Sequence, residues 1–394
     1  MRLLSPKPIA LVDGLIFGPR ECVGGSLRVS GKTIAGVNCP PERGDAVVDL
    51  KGSLVLPGLI NAHDHLELNN FPRLKWRDRY ANASEWIADF QPRFATDEAL
   101  RGAMSVSLET RLLIGGLKNL LSGVTTVCHH NPLYRALRRD FPVRVVRRYR
   151  YNHSLQIDGD SVTKGFLSTP KDWPWIIHAA EGMDDAASRE FHRLRSMGCL
   201  GPNTVVVHGV ALGPEEQAAL IRAGGALVWC PSSNHFLFGT TVDITMLNQA
   251  RRVALGTDSR LTGERDLLAE IRFAAGKTAL SAGALLRMVT IDAASLLRLP
   301  RAGDLRRGAP ADLLVIPRGQ REPADSILAI ERSSIRLVLL GGQPQIGDPD
   351  MRQVFEATGG RWQKVKLDGR EKLMSQRLAS RMKRSGVVEP GLLL

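Results

Sequence analysis

The sequence has few of the features of a secreted, disulfide-rich or membrane-spanning protein. Its five cysteines are odd in number and widely scattered, and no CxxC pair is present. They are therefore expected to be reduced thiols, without a cysteine-based structural zinc site. No apolar run approaches the roughly 18 residues of a membrane span. Pro6, Pro8 and Asp13 interrupt the first residues, which makes them a poor signal peptide. These observations favour a cytoplasmic protein.

The composition is that of a globular protein with an excess of positive charge. Of 394 residues, 43% are hydrophobic and 24% are charged, and the formal net charge is +13. The length fits one large domain and a smaller one. The charge favours acidic partners, namely nucleic acid, anionic lipid or an anionic substrate. Because Arg-rich proteomes show the same excess, the charge alone does not select among these alternatives.

Apolar runs and turn residues divide the chain into three parts. Residues 1–54 and 303–345 alternate short apolar runs with Gly and Pro, which is typical of antiparallel strands. Residues 55–302 alternate strands with helical segments, which predicts a parallel sheet and an α/β fold. Residues 346–394 form a basic tail, in which residues 370–384 are predicted to be an amphipathic helix. Such a helix either docks on the body or contacts nucleic acid or a membrane.

The strongest chemical signal is a His-x-His pair at the end of an apolar strand. His63 and His65 follow the run LVLPGLINA. Because alternate residues of a strand point to one side, both imidazoles face the same space and supply half of a metal site. Six more of the nine histidines follow predicted strands: His129, His130, His153, His178, His208 and His235. The carboxyl ends of parallel strands meet at one mouth, so this distribution predicts a metal centre there.

Two carboxylates extend this cluster. Asp258 closes the short apolar strand VALGT, and a charge at that position needs either a metal or a helix N-terminus as its partner. Glu181 follows His178 by three residues, so it either reaches the mouth or caps the next helix.

The ordered motifs resemble the amidohydrolase superfamily. They are PGLINAHDH, GVTTV, HAAE, VVHG, CPSSN, LGTDS and GAPADLLVI, between about residues 9 and 345. The similarity is to the branch of cytosine, guanine and S-adenosylhomocysteine-type deaminases and chlorotriazine hydrolases. It implies a (β/α)₈ TIM-like barrel over residues 55–302 and a small β-sandwich built from both chain ends. The chain departs from the family between the predicted strand VRVVRRYRY and the strand WIIHAAE. Only about 24 residues lie there, where the family has a helix, a strand and another helix, so the fourth βα unit is predicted to be reduced.

The resemblance also implies roles for individual residues. The metal ligands would be His63, His65, His178 and Asp258, and the ion would be a single divalent cation, with Zn²⁺ favoured over Fe²⁺ or Mn²⁺. Glu181 would carry protons, Asp258 would accept a proton from metal-activated water, and His208 would orient water or substrate. Binuclear relatives use a fourth-strand lysine or carboxylate. The candidates Lys164 and Lys171 lie in a loop-like stretch, which favours one metal.

Residues for substrate binding are less clearly indicated. Glu67 either touches substrate or pairs with an arginine. Arg148 and Arg150 either point into the mouth, where they would bind an anionic substrate, or cap helices outside. Asn234 and His235 could hydrogen-bond a polar ring.

The expected function is metal-dependent hydrolysis of non-peptide C–N bonds, chiefly deamination of an amino-substituted heterocycle by metal-activated hydroxide. The alternatives are an amide- or halide-releasing hydrolase on the same scaffold and a non-catalytic basic scaffold that binds nucleic acid or protein. The expected partners are a small-molecule substrate and further copies of the chain, rather than a membrane.

Overall fold

The computed structural model describes residues 6–18, 22–319 and 322–394, and within them the chain forms nineteen strands and fifteen α-helices. The strands are β1 Ile9–Phe17, β2 Cys22–Ser30, β3 Thr33–Val37, β4 Ala46–Asp49, β5 Leu54–Pro57, β6 Leu59–Asp64, β7 Val124–His129, β8 Arg144–Val145, β9 Arg150–Ser154, β10 Trp175–Ala179, β11 Thr204–His208, β12 Ala226–Trp229, β13 Val253–Leu255, β14 Leu313–Ile316, β15 Leu337–Leu340, β16 Gln343–Gly347, β17 Trp362–Leu367, β18 Arg370–Ser375 and β19 Leu392–Leu393.

The helices lie mainly between the strands of the central part of the chain. They are α1 Ala83–Phe90, α2 Glu98–Ser105, α3 Leu108–Leu121, α4 Leu155–Asp158, α5 Ser161–Leu167, α6 Asp185–Ser196, α7 Pro214–Arg222, α8 Pro231–Phe238, α9 Thr245–Gln249, α10 Leu267–Lys277, α11 Ala282–Met288, α12 Ile291–Leu296, α13 Ser326–Ala329, α14 Arg352–Ala357 and α15 Gln376–Ser385. Most begin at a polar cap; for example, Asp184 accepts a hydrogen bond from the backbone N–H of Ala187 at the start of α6.

The central strands form two parallel sheets, which confirms the mixed α/β class. One has the order β13-β12-β11-β10-β9 and the other the order β6-β7-β8. A parallel bridge between Asp64 and Asp258 connects the end of β6 to the residues that follow β13. The sequences of these strands are continuous apolar runs because both faces of the parallel sheets are covered.

A third sheet has eleven strands and takes them from both ends of the chain. Its order is β19-β17-β18-β16-β15-β14-β5-β1-β2-β3, with β4 paired to β1. Along β14, Leu313 and Val315 pack into one core, whereas Leu314 and Ile316 pack into another. The sheet therefore buries both faces. The boundaries of the three parts of the chain stay a prediction.

The tail differs from the helix expected over residues 370–384. Its first part is β18, which pairs antiparallel with β17 over six residues, and the helix α15 begins only at Gln376. Leu373 and Met374 are both buried, one in each core, and this burial overrides the helical spacing of the apolar residues. The tail thus extends the large sheet.

The shortened unit also differs in its details. The predicted third strand is divided into β8, which pairs with β7, and β9, which pairs with β10. The two short helices α4 and α5 follow β9, so the stretch before β10 is reduced as expected. Residues 130–149 contain a single 3₁₀ turn, Arg135–Leu137, and no α-helix.

Within the described residues, no helix is both long and apolar enough to cross a bilayer.

Candidate metal centre and active site

The His-x-His pair lies at the carboxyl end of β6, with the two rings on the same side. The ring centroids of His63 and His65 are 5.0 Å apart, and both side chains are buried. The neighbouring chain approaches closely at Gly256, where a Cβ would lie 2.7 Å from Cβ of His63. The glycine of the LGTD motif therefore lets the segment after β13 pass beside the pair.

His178 ends β10 and points at His63. The two Nε2 atoms are 3.2 Å apart, and Nδ1 of His178 lies 2.8 Å from the carbonyl oxygen of His153. A carbonyl accepts only a hydrogen, so Nδ1 is the protonated nitrogen and Nε2 of His178 keeps its lone pair. Burial lowers the pKa of His178 well below its usual range and that of His63 to about 4. Both imidazoles are therefore neutral and available as ligands.

Asp258 completes the set of donors. Its Oδ1 lies 3.5 Å from Nε2 of His63 and 3.5 Å from Nε2 of His65, while Oδ2 accepts hydrogen bonds from Ser233 (2.8 Å) and Thr262 (2.5 Å). Burial by itself would raise the pKa of Asp258, but the surrounding histidines hold it well below its usual range. The residue adopts a left-handed backbone with φ of +57°, a conformation that a non-glycine residue keeps only under strong local constraint.

The donor atoms fit a divalent cation. Those of His63, His65 and Asp258 lie within 4.8 Å of one another, as do those of His63, His178 and His208. Neutral imidazoles together with a carboxylate form a donor set that suits zinc and other first-row metals. A buried cation would also balance the negative charge of Asp258.

Glu181 and His208 lie beside these donors. Oε1 of Glu181 is 3.5 Å from Nε2 of His208, whose Nδ1 lies 2.8 Å from Oδ1 of Asn234. Burial raises the pKa of Glu181 to about 7. A carboxyl group with that pKa exchanges protons readily near neutral pH, as a proton shuttle requires.

Two predicted substrate contacts have protein partners instead. Asn234 holds His208. Glu67 is buried, accepts a hydrogen bond from Asn131 through Oε1, and has Oε2 3.7 Å from Nδ1 of His129. Neither partner is an arginine, so the residues that the structure describes contain no Glu67–arginine pair.

Three other candidates lie outside the cluster. The His235 ring is 3.1 Å from the Lys277 ammonium, in an exposed contact. Arg148 lines an outer groove, and Arg150 lies over the ring of Trp173. Both arginines are exposed, whereas Val146 and Tyr149, which lie between β8 and β9, are buried in a core cluster.

A buried polar network supports the His-x-His segment, and the sequence reasoning missed it. Asp64, between the two histidines, accepts a hydrogen bond from Lys118 of α3 at 3.1 Å and from Asn119 at 2.7 Å. Lys118 also donates to Asn69 (2.7 Å) and Thr257 (2.9 Å), and its side chain is fully buried. The sequence feature that could have indicated this network is a lysine within the apolar run LLIGGLKNLL, because lysine is rarely buried without a partner.

A second buried carboxylate that the sequence reasoning missed, Glu270, lies near Asp258. Glu270 is fully buried and accepts the backbone N–H of Ser232 at 2.9 Å, next to the Ser233 that holds Asp258. Burial raises its pKa to about 7. The site is thus supported on both sides by buried acids.

A cavity of about 900 Å³ opens next to the centre. It is lined by His153, His178, Glu181 and residues of α1 and α6. His130 is also buried here, with its ring centroid 4.0 Å from that of His178, and neither ring nitrogen has a hydrogen-bond partner among the described residues. The cavity has the volume of a site for a small organic molecule.

Comparison with known proteins agrees with this geometry. The profile of the amidohydrolase family matches residues 168–344. A 5-methylthioadenosine/S-adenosylhomocysteine deaminase of Syntrophobacter fumaroxidans is 28% identical over 371 residues, covering 80% of this chain and 81% of the relative. A 5'-deoxyadenosine deaminase of Methanobrevibacter smithii is 24% identical, covering 79% and 85%. The chain is therefore similar to the amidohydrolase family. The resemblance inferred from the ordered motifs is confirmed.

Solved structures of two further enzymes share the fold. A zinc-bound adenosine deaminase from Xanthomonas campestris aligns with a TM-score of 0.70 at 18% identity, covering 86% of this chain and 93% of that one. A zinc-bound atrazine chlorohydrolase from Arthrobacter aurescens aligns with a TM-score of 0.72 at 18% identity, covering 89% and 99%. The prediction of an enzyme is confirmed by these similarities, and so is the predicted reaction class, metal-dependent hydrolysis of non-peptide C–N bonds with deamination as its main form.

Proposed function

We propose that the protein is a zinc-dependent deaminase of adenosine derivatives, which replaces the 6-amino group of the purine with oxygen and releases ammonia. The observation that carries this proposal is the Glu181–His208 pair, 3.5 Å apart, beside the buried His/Asp donor set. A deaminase needs an acid of near-neutral pKa next to its metal, and the pKa of Glu181 is about 7. The names of the deaminase relatives suggest the substrate.

His63, His65, His178 and Asp258 would hold the metal. Once bound, a divalent cation lowers the pKa of a water molecule and so supplies the nucleophile. A single ion is favoured, because Lys164 is exposed on α5 and Lys171 is exposed after it, so neither lies beside the donors. Zinc is the ion bound in the similar solved structures.

The protein groups would divide the proton transfers among them. Asp258 takes the proton of the attacking water as the new C–O bond forms at the ring carbon. Glu181 in its acid form protonates the ring nitrogen, and Asp258 passes the proton it took to the amino group, which leaves as ammonia. Glu181 then takes the proton of the new hydroxyl group as the carbonyl forms, which restores its acid form. His208, held by Asn234, orients the atoms at the attacked carbon.

The cavity suits a substrate with an anionic substituent. Arg189 and Arg193 stand one turn apart on α6 and line the cavity, with exposed side chains at its rim. A guanidinium pair at that spacing binds a carboxylate or phosphate. These arginines would take the role expected of Arg148 and Arg150. Assembly into a homo-oligomer and a cytoplasmic location stay predictions.

We also infer that the eight parallel strands form the (β/α)₈ barrel and that the large sheet folds into the flanking β-sandwich. Alternate strand residues divide between two cores: Val205 and Val207 pack in one and Val206 in another. This division is typical of barrel strands, whose residues alternate between the interior and the helices. The bridge between Asp64 and Asp258 would close the ring.

A panel assay tests the activity. Purified zinc-loaded enzyme would be incubated with adenosine, 5'-deoxyadenosine, 5-methylthioadenosine, S-adenosylhomocysteine, cytosine, guanine and a chlorotriazine, with ammonia and chloride both measured. Ammonia release with one of the four adenosine compounds supports the proposal. Chloride release from the triazine, or ammonia from cytosine or guanine alone, contradicts it.

A further inference from the structure

A deep arginine-rich groove lies on the outside of the parallel strands. Two adjoining cavities of about 960 and 1070 Å³ share Arg139, Asp140, Phe141 and Leu340. Six arginines line each cavity, with Arg139 common to both, and three acidic residues face them. We call this surface the basic groove; its eleven arginines are Arg135, Arg138, Arg139, Arg144, Arg147, Arg148, Arg298, Arg361, Arg377, Arg381 and Arg384. Most of the net charge of +13 is therefore concentrated on one face.

The local chain path creates this groove. Residues 130–149 contain no α-helix, and β8 and β9 are separated by residues 146–149 alone. The outer side of these strands is therefore left without the helix that covers a βα strand elsewhere. The other wall is α15, which buries Leu378, Ala379 and Met382 and so turns its arginines outward. The basic tail of the sequence is thus one wall of the groove.

The groove is separate from the catalytic cavity. Arg144 begins β8, Asp172 shortly precedes β10, and Arg298 donates to the carbonyl of Pro202, just before β11. These are the amino ends of the strands, whereas the metal donors lie at the carboxyl ends. The residues that line the groove and those that line the catalytic cavity do not overlap. The groove therefore has no direct part in binding the small substrate.

Most of the groove arginines are not neutralised by the protein itself. Only Arg144, with Asp312, and Arg377, with Asp140, have a carboxylate within 4.0 Å among residues 6–18, 22–319 and 322–394. Like charges at this density repel one another, and an anionic partner would relieve that repulsion. Arginine rather than lysine lines the surface throughout, which suits bidentate recognition of carboxylates or phosphates.

The floor of the groove favours a protein partner. It is apolar, with Leu137, Val145, Leu299 and Leu340 among its lining residues. Phe141 is the one aromatic residue in the lining, so the groove offers a single aromatic ring for stacking with nucleic-acid bases. A bilayer surface is flat, whereas this surface is concave. A segment with carboxylates on one side and aliphatic residues on the other matches both the walls and the floor.

We propose that the basic groove binds an acidic amphipathic helix of a partner protein. The partner helix would lie against the strands that no helix of this chain covers. Its apolar side would contact the floor of the groove, and its carboxylates would pair with the arginines. This proposal does not depend on the substrate of the enzyme.

A peptide-binding experiment on the full-length protein tests it. The probe is a fluorescent peptide of about 14 residues with leucine at helical spacing and glutamate elsewhere, measured by anisotropy at about 150 mM salt. Replacing Arg139, Arg147 and Arg384 by Gln should weaken binding about ten-fold or more. The matched control replaces Arg101, Arg195 and Arg222, which are exposed outside the groove, and should change binding less than about two-fold.

Further comparisons distinguish this proposal from general attraction to charge. A scrambled peptide of the same composition should bind more weakly, because its leucines do not share one face. Equal weakening by both triple variants, or equal binding of the scrambled peptide, would overturn the proposal. So would tighter binding of a single-stranded RNA of equal charge, or of phosphatidylserine vesicles, that is lost in the groove variant. If the Gln variant unfolds at a lower temperature than the control, a second Gln triple at Arg135, Arg148 and Arg361, which are also exposed in the groove, replaces it and should weaken binding by a similar factor.

Discussion

Lys118→Met should destabilise the protein far more than an ordinary surface change, because it leaves a buried charge without its partner. Lys118 and Asp64 are both fully buried, with Nζ 3.1 Å from Oδ2, and Lys118 makes two further hydrogen bonds. Breaking a buried ion pair by removing one partner costs about 3–5 kcal/mol. Asp64 keeps its hydrogen bonds from Asn119 and Asn69, which places the expected loss near the lower end, about 3 kcal/mol.

The double variant Lys118→Met with Asp64→Asn removes both charges. Its free energy of unfolding should therefore be higher than that of the Lys118→Met variant by about 1–2 kcal/mol. Because Asp64 lies between two of the proposed ligands, the single variant should also bind zinc more weakly. Urea unfolding of the metal-free protein measures stability, and titration with a chromogenic chelator measures zinc affinity.

Lys164→Met is the matched control, since Lys164 is exposed on α5. Its free energy of unfolding should lie within about 0.5 kcal/mol of that of the unmodified protein. The reasoning is refuted if Lys118→Met costs no more than this control, or if the double variant loses the sum of the two single losses.

Four further predictions concern the reaction. Glu181→Gln should keep its zinc, measured by elemental analysis, yet lose about 10²–10⁴ in kcat; loss of the metal would contradict its role as a shuttle. Because the acid form of Glu181 is the active one and its pKa is about 7, kcat of the unmodified enzyme should fall as the pH rises through about 7, and a flat profile between pH 6 and 9 would exclude this role. Asp258→Asn should stay folded by circular dichroism with activity lower by orders of magnitude, and near-normal turnover would remove it from the site. Arg189→Ala with Arg193→Ala should raise KM for S-adenosylhomocysteine about ten-fold and leave 5-methylthioadenosine unchanged, since only the first has a carboxylate; equal changes in both would contradict the anion site.

Local patterns predicted which residues lie close together. The His-x-His pair, the strand-end His178 and Asp258, and the neighbouring Glu181 and His208 were proposed from strand ends and motif order, and the structure brings them together, while their roles stay predictions. The carboxyl ends of parallel strands meet at one edge, so residues at those ends converge whatever the loops do.

Features that depend on distant partners were missed, wrong or left open between alternatives. The apolar residues of 370–375 have helical spacing, but this segment pairs with the edge of the large sheet at β16 and so forms the strand β18. Arg148 and Arg150 alternate as strand residues do, yet the bend between β8 and β9 places both outside. No local pattern reveals how far a strand continues before it bends or which edge remains unpaired.

The sequence by itself determined the reaction class and the candidate metal donors, because these depend on residue types at fixed spacings along strands. Only the tertiary structure decided which residues support and surround them. The Lys118–Asp64 pair joins residues 54 positions apart, and the basic groove combines residues 135–148 with α15. Such contacts are set by how helices and sheets pack, and packing follows from the burial of whole surfaces rather than from the order of neighbouring residues.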